Sequence, residues 1–225
     1  MYERNPYPSW SWMRPPVDWP PKLFDWLRSK HWQVPDDWPA SCEQRPKVLV
    51  AGCGTGHWMS HFARHYKDHA DVLAVDLSLS SLAFAARRVE ENQLGNVRLE
   101  QADILDLPDV VRREAPFDFI EVGGVLHHLR HPEDGWSRLV ELLRPGGVML
   151  VALYSKIARR QGVDPCRNFA DKGGYNASSA WSLRRYRADV MKEREAGTKW
   201  AKQITTSRDF ASLSGVRDLC LHVQE

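Results

Sequence analysis

Lys47-Val48-Leu49-Val50-Ala51-Gly52-Cys53-Gly54-Thr55-Gly56 decides how the rest of this 225-residue chain reads. Val48, Leu49, Val50, Ala51 and Gly52 form the short apolar run expected of a strand buried on both faces. Glycines then occupy alternate positions, and a helical pattern starts at once with His57. A strand that breaks into a glycine-rich turn and resumes as a helix presents free backbone N–H groups and bare Cα atoms to a ligand. The turn reads as a cofactor cradle, and residues 47–154 as the body that presents it.

Strand and helix patterns alternate through that body. Residues 57–66 predict a short helix with Trp58, Phe62 and Met59 inward, and 72–75 a second buried strand ending at Asp76. Ser78 is a good N-cap for a helix that follows with Leu79, Leu82, Ala83, Ala86 and Val89 at helical spacing, and Gly95 suits its stop. Residues 97–99 predict a third strand, and 117–122 a fourth that ends in Gly123-Gly124. Residues 132–143 read as a helix with Trp136, Leu139, Val140 and Leu143 inward. Pro145-Gly146-Gly147 breaks it before a fifth strand at 148–153. Such alternation means an α/β fold of Rossmann-like, doubly wound type: a mainly parallel sheet with helices on both faces and ligands bound beyond the carboxyl ends of the strands.

The carboxylates narrow the cofactor. The glycine spacing is G-x-G-x-G, whereas dinucleotide enzymes usually show G-x-G-x-x-G, and no Gly-Lys-Ser/Thr follows to make a P-loop. Asp76, at the end of the second strand, is placed to accept both hydroxyls of a ribose. Asp103, after the third strand, is placed to accept from an adenine amino group, with Ile104 offering a backbone N–H and an apolar wall. A ribose carboxylate and an adenine carboxylate, without a phosphate-binding device, describe an adenosine that carries no phosphate.

Val48 to Gly56, Asp76, Asp103-Ile104, Phe117-Asp118-Phe119-Ile120 with Val125-Leu126-His127-His128-Leu129, and Leu143-Arg144-Pro145-Gly146-Gly147 resemble the successive motifs of class I S-adenosylmethionine-dependent methyltransferases. They stand in that family's order and cover about half the chain. The resemblance implies S-adenosyl-L-methionine in the turn, held by Gly52, Cys53, Gly54, Gly56, Asp76, Leu77, Asp103, Ile104 and Glu121. It further implies Asp76 on the ribose and Asp103 on the adenine. Asn5-Pro6-Tyr7-Pro8-x-Trp10, Leu153-Tyr154-Ser155 and Arg217-Asp218-Leu219 are also similar to a bacterial subgroup of these enzymes with no settled substrate. One position departs. The family often carries Asp or Glu where Val50 stands, and Glu121 or backbone carbonyls are left to take that role.

Methyl transfer is an in-line displacement at a sulfonium, and holding nucleophile and methyl group aligned supplies much of its catalysis. A hydroxyl or thiol acceptor also needs a base. Glu121, His127 and His128 after the fourth strand, and Tyr154 with Ser155 after the fifth, are the candidates. For each histidine the alternative is packing or hydrogen bonding beside the cofactor. The four histidines His57, His61, His65 and His69 read as a solvated helix face, and no metal site is expected.

The flanks differ in composition. Residues 1–46 hold nine prolines (6, 8, 15, 16, 20, 21, 35, 39 and 46) and Trp10, Trp12, Trp19, Trp26, Trp32 and Trp38. Such a stretch predicts an arm packed on the body through its aromatic rings. A short helix over 22–32 shows Leu23, Trp26 and Leu27 on one side. In a second reading of the arm, Tyr2, Tyr7 and Trp10 cover the cofactor or line a substrate pocket. Residues 155–225 predict a helical extension or insertion, with a helix at 180–195 and apolar spacing through Phe210, Leu213, Val216, Leu219 and Val223. The family's last two strands are missing from this stretch, which suggests truncation.

The bulk numbers exclude several classes. Apolar content of 43% and charged content of 27% are those of a globular protein, and a net charge of +2 is no basic footprint. Four scattered cysteines without a C-x-x-C pair offer neither a disulfide framework nor a zinc site, which fits a cytoplasmic location. No apolar run reaches membrane-spanning length. The reading is a methyltransferase acting on a small molecule or a polypeptide side chain, with no nucleic acid or membrane partner; the acceptor and the oligomeric state stay open. Two alternatives remain: a non-catalytic binding module on the same fold, or an RNA methyltransferase using Arg184, Arg185, Arg187, Lys192 and Arg194.

Overall fold

The computed structural model describes residues 3, 6–8, 10, 23–31 and 45–221. Tyr2, Trp12, Trp19, Trp32, Trp38, the side chain of Trp26, Cys42 and Val223 lie outside the described residues. The chain forms two compact units, one from Met1–Pro6 and Trp10–Leu153, the other from Tyr7–Ser9 and Tyr154–Glu225.

The first unit is a five-stranded sheet: β1 (Lys47–Ala51), β2 (Asp71–Asp76), β3 (Val97–Gln101), β4 (Phe117–Gly123) and β5 (Leu143–Ala152), in the order β3-β2-β1-β4-β5. Every pairing is parallel. Its helices are α1 (Leu23–Ser29), α2 (His57–His65), α3 (Leu79–Glu91), α4 (Asp109–Glu114) and α5 (Pro132–Leu142), with a short 3-10 turn at Leu126–His128. Order reverses between β1 and β4, so the switch point stands at the end of β1, where the glycines are.

Successive strand residues point to opposite faces. Val48, Val50, Val72, Ala74 and Phe119 share one core with Leu23, Leu27, Met59, Phe62 and Leu82. Leu49, Ala51, Leu73, Val75, Ile120 and Val122 share the other with Val111, Leu126, Leu139 and Leu142. Burial on both faces is why β1 reads as an apolar run after Lys47, while β4 buries Asp118 and Glu121 among its apolar residues.

Two helices turn a different face inward from the one their large apolar residues predict. In α3 the buried residues are Ser81, Leu82 and Ala85, while Leu79 is exposed and Ala83 and Ala86 face solvent. Small Ala85 sits where a Cβ on Gly56 would come within 3.0 Å of it, so close approach to the turn sets the rotation. In α5 the buried residues are Gly135, Leu139 and Leu142, while Trp136 and Val140 are exposed. A Cβ on Gly135 would lie 2.4 Å from Leu129 Cδ1, so the glycine, invisible to an apolar count, lets this helix dock. Nor does Pro145-Gly146-Gly147 precede the fifth strand: it lies inside β5. Leu143 pairs with Phe117 and Val148 with Phe119, and the residues between bulge out opposite Asp118.

Asp118 holds this irregular corner. Its buried carboxylate accepts from the Lys47 N–H at 2.7 Å and pairs with Arg144 Nη1 at 3.0 Å. The starts of β1, β4 and β5 are thereby joined by one side chain.

The second unit is helical: α6 (Lys156–Arg159), α7 (Val163–Lys172), α8 (Ala180–Glu195), α9 (Lys199–Ile204) and α10 (Leu213–Val216), then a π-type turn at Arg217–Leu221. Its core gathers Cys166, Leu183, Tyr186, Val190, Phe210, Val216 and Leu219. Trp181, placed among the apolar positions of α8, is exposed, and Asp189 carries ion pairs to Arg185 and Lys192 on the basic face. Three separated stretches converge within this unit. The Tyr7 hydroxyl donates to Asp209 at 2.5 Å, the Tyr154 hydroxyl donates to Asp218 at 3.2 Å, and Arg217 Nε donates to the Ala177 carbonyl at 2.6 Å.

Candidate functional site

The carboxyl ends of β1, β2, β3 and β4 surround the glycine turn. The N–H groups of Gly52 and Cys53 both donate to the Val75 carbonyl, at 2.8 and 2.9 Å, which ties the turn to the end of β2. Gly52, Gly54 and Gly56 have φ of 77°, 53° and 78°, the left-handed region that residues with a Cβ resist. At Gly52 the need is double, because a Cβ would also lie 2.4 Å from Val125 Cγ2, just after β4. Bare Gly52 thus lets the Val125 side chain pack against the turn at the switch point.

Asp76 closes the turn from β2. One carboxylate oxygen accepts from the Gly54 N–H at 2.7 Å, the other from the Ser78 N–H at 2.9 Å. Burial raises its pKa, against the lowering effect of those two N–H donors. A carboxylate that orders the turn and retains acceptor capacity on both oxygens suits paired hydroxyls. Leu77, next in sequence, is exposed, and Gln101 Nε2 donates to its carbonyl at 3.0 Å. Asp103 is exposed after β3; its Oδ1 accepts from the Leu105 N–H at 2.9 Å, and Ile104 is buried in the core below. The structure thus gathers Gly52, Cys53, Gly54, Gly56, Asp76, Leu77, Asp103 and Ile104 at the ends of three adjacent strands.

Glu121 approaches from β4. It is buried, 7% exposed, and its Oε1 accepts from the Gly123 N–H at 2.9 Å. A Cβ on Gly123 would sit 2.4 Å from that oxygen, so the glycine makes the space the carboxyl group fills. Burial pushes the Glu121 pKa up to about 8, against the Gly123 donor. Burial, followed by the charge of Asp76, also pushes the Cys53 thiol up, which removes it as a nucleophile. His127 and His128 follow β4 in the 3-10 turn, rings 4.3 Å apart. Tyr154 belongs to the second unit, where burial and then Asp218 raise its pKa.

Three residues at the turn carry weaker signals in the sequence. Trp10 Nε1 donates to the Thr55 carbonyl at 3.2 Å and to Thr55 Oγ1 at 3.1 Å, and its ring meets His57 edge-on at 5.3 Å. Arg88 of α3 lies over the Trp10 ring at 5.2 Å and donates to its carbonyl. Glu3 accepts from the Leu79 and Ser80 N–H groups at the start of α3, at 2.5 and 3.3 Å. The proline-tryptophan composition points to an arm, but nothing local says where its rings land. His57 and His61 stack edge to face at 4.9 Å, and among the described residues no group of three or more His, Cys, Asp or Glu side chains is arranged to hold a metal.

At the opposite end of the sheet a cleft is lined by Lys47, Asp71, Arg98 and Glu114. Arg98 pairs with Glu114 at 2.8 Å, Arg45 pairs with Asp71 at 2.8 Å, and Lys47 Nζ donates to the Glu114 carbonyl at 3.1 Å. This cleft lacks the glycine turn and the carboxyl ends of the strands.

Comparison with known proteins agrees with the geometry. Residues 48–147 match the methyltransferase domain family. The chain is 33% identical over 168 residues to an uncharacterised protein of Synechococcus, covering 72% of this chain and 37% of that one. It is 31% identical over 182 residues to a malonyl-[acyl-carrier protein] O-methyltransferase of Paenibacillus, covering 74% and 61%. The chain therefore spans less than two thirds of either relative. Among solved structures, PKMT2 from Rickettsia typhi shares the fold with a TM-score of 0.60 at 20% identity, over 88% of this chain and 37% of that one. With strand order, cradle and family match in accord, residues 48–147 of this chain form a Rossmann-like sheet similar to the methyltransferase domain family.

Proposed function

We propose that the protein transfers a methyl group from S-adenosylmethionine to a small molecule or a polypeptide side chain. The observation that carries this is the closed turn: three left-handed glycines, with Gly54 N–H held by Asp76 and Val75 drawing in Gly52 and Cys53. When bound, S-adenosylmethionine supplies an electrophilic methyl group on a sulfonium. The chain's residues fit it. Asp76 accepts the ribose hydroxyls while its own bonds keep it in place. Asp103 and the Ile104 backbone meet the adenine, with Leu77 as an apolar cover. The glycine turn lets the backbone approach the methionine portion without side-chain interference. His127 and His128 stand after β4 as the groups able to take a proton from an acceptor.

One relative is named an O-methyltransferase, which is consistent with an oxygen acceptor here. On the basic face of α8, Asp189 pairs with Arg185 and Lys192, and Arg187 lies over the Phe210 ring. No helix of the described residues is long and apolar enough to cross a membrane, and the described cysteines Cys53, Cys166 and Cys220 are free and buried, which supports a cytoplasmic setting.

Isothermal titration with S-adenosylmethionine and S-adenosylhomocysteine tests the proposal. Wild type is expected to bind both. Asp76→Ala is expected to lose at least tenfold in affinity, because a buried ribose would then face an unfilled acceptor position. Wild type that binds neither ligand, or an Asp76→Ala variant with unchanged affinity, would remove the proposal.

A further inference from the structure

The sheet register places a carboxyl group where the sequence lacks one. Val50 of β1 pairs with Glu121 of β4, and Glu121 in turn pairs with Leu150 of β5. Residues paired across parallel strands point to the same face. Glu121 therefore stands beside Val50, on the face that Val48, Val50 and Phe119 share, one strand over from the position where this family often carries its acid. Two features mark it as built for a ligand. Gly123 is bare where a Cβ would strike its oxygen, and among the described residues the Gly123 N–H is the one hydrogen-bond donor to its carboxyl group. This acceptor-rich group, 7% exposed, thus has a single donor among the described residues where an ionised carboxylate can accept several.

We propose that Glu121 takes the part of the missing acid at Val50: it receives the cationic methionine end of the cofactor, and it gives up a proton as the cofactor binds. This rests on the reading of the cradle as an S-adenosylmethionine site. In the free protein the carboxyl is neutral near pH 7, since burial holds its pKa at about 8. The groups that face it do not alter this. β1 presents Val50 and β5 presents Leu150. The turn presents Cys53, whose thiol is itself pushed up and neutral, and Asp76 stands across the turn, a like charge if anything. No lysine, arginine or histidine of the described residues acts on the carboxyl. The ammonium of the methionine portion would be the first positive charge to reach it. An opposite charge favours the ionised form, so the carboxyl O–H proton leaves to solvent, the carboxylate and the ammonium pair, and no covalent bond changes.

Calorimetric titration with S-adenosylhomocysteine, which keeps the ammonium but cannot transfer methyl, provides the test. Between pH 6 and 7.5 the wild-type affinity is expected to rise about tenfold per pH unit. Repeated in buffers of different ionisation enthalpy at pH 6.5, the heats should report about one proton released per ligand bound. Above about pH 8 the trend should reverse as the ligand's own amine loses its charge. 5′-Methylthioadenosine, which lacks the amino acid end, should bind with no such slope and no proton release. Glu121→Gln should flatten the slope for S-adenosylhomocysteine and leave methylthioadenosine binding unchanged. Wild-type binding of S-adenosylhomocysteine without pH dependence and without proton release would overturn the proposal, even if the Gln variant proved unstable. A wild type that binds neither ligand at any pH would instead remove the cofactor reading on which the proposal rests.

Discussion

A buried carboxyl group without a counter-charge makes stability depend on pH, and Glu121 gives the sign. Its ordinary value of 4.5 is raised to about 8 in the fold, chiefly by burial. Between those values the unfolded chain has lost the proton that the folded chain keeps. The stabilising contribution is whole below about pH 4.5 and is lost as pH rises, at up to about 1.4 kcal/mol per pH unit, with no further loss past about pH 8. Asp76, raised in the same direction, adds to the trend. Urea unfolding of the cofactor-free protein is therefore expected to show lower stability at pH 7 than at pH 5.5, with a shallower decline in Glu121→Gln. Equal slopes in the two proteins would contradict a neutral Glu121. At this scale the residues at the turn are largely legible in the sequence, because glycines and strand-end carboxylates are local signals. The partnership of Glu121 with Val50 is not. It depends on the register of β1 against β4, which no short window contains. The structural duty of Asp118, bonded to Lys47 across 71 residues, is hidden for the same reason.

Elements in this protein are rotated by their smallest residues. Ala85 faces Gly56 on α3 and Gly135 faces Leu129 on α5, and in both helices the inward stripe follows those contacts rather than the bulkiest side chains. Periodicity therefore finds the helices and misplaces part of their faces. Apolar counts weigh a glycine or alanine lightly, although close packing depends on it. The N-terminal arm adds a second lesson. Trp10 secures Thr55 with both a carbonyl and a hydroxyl as acceptors, in the middle of the glycine turn. Trp10→Phe keeps an aromatic ring against Phe84 and Arg88 but deletes the N–H. One such bond is worth about 1 kcal/mol, so affinity for S-adenosylhomocysteine is expected to fall about fivefold, with the melting temperature shifting by only a few degrees. Calorimetric titration checks this. An affinity equal to wild type would show that the turn holds its shape without the indole.

The whole molecule divides its hydrophobic residues into two clusters flanking the sheet and one in the helical unit. The second unit depends on a tight contact of its own. A Cβ on Gly215 would lie 2.1 Å from the Asp209 carbonyl oxygen, so Gly215→Ala should cost more than about 3 kcal/mol there. Hydrogen exchange is expected to show α7 to α10 losing protection in that variant while β1, β2 and β4 keep theirs; loss of protection in all of them together would mean that the two units unfold as one. Sequence alone conveys the alternating α/β body well and the second unit only as a set of helices. Tyr7, Tyr154 and Asp218 come from stretches whose meeting no periodicity announces. The order β3-β2-β1-β4-β5 has a further consequence during synthesis. β1 leaves the ribosome early, yet its pairing is complete only after β4 has been made, and the Val125 side chain beyond β4 packs against bare Gly52. The bonds that close the turn need only β1 and β2, whereas the Glu121 side of the cradle waits for β4. A nascent chain that stops before β4 should hold the turn against β2 but lack Glu121, so full cofactor capture marks the completion of this unit rather than its nucleation.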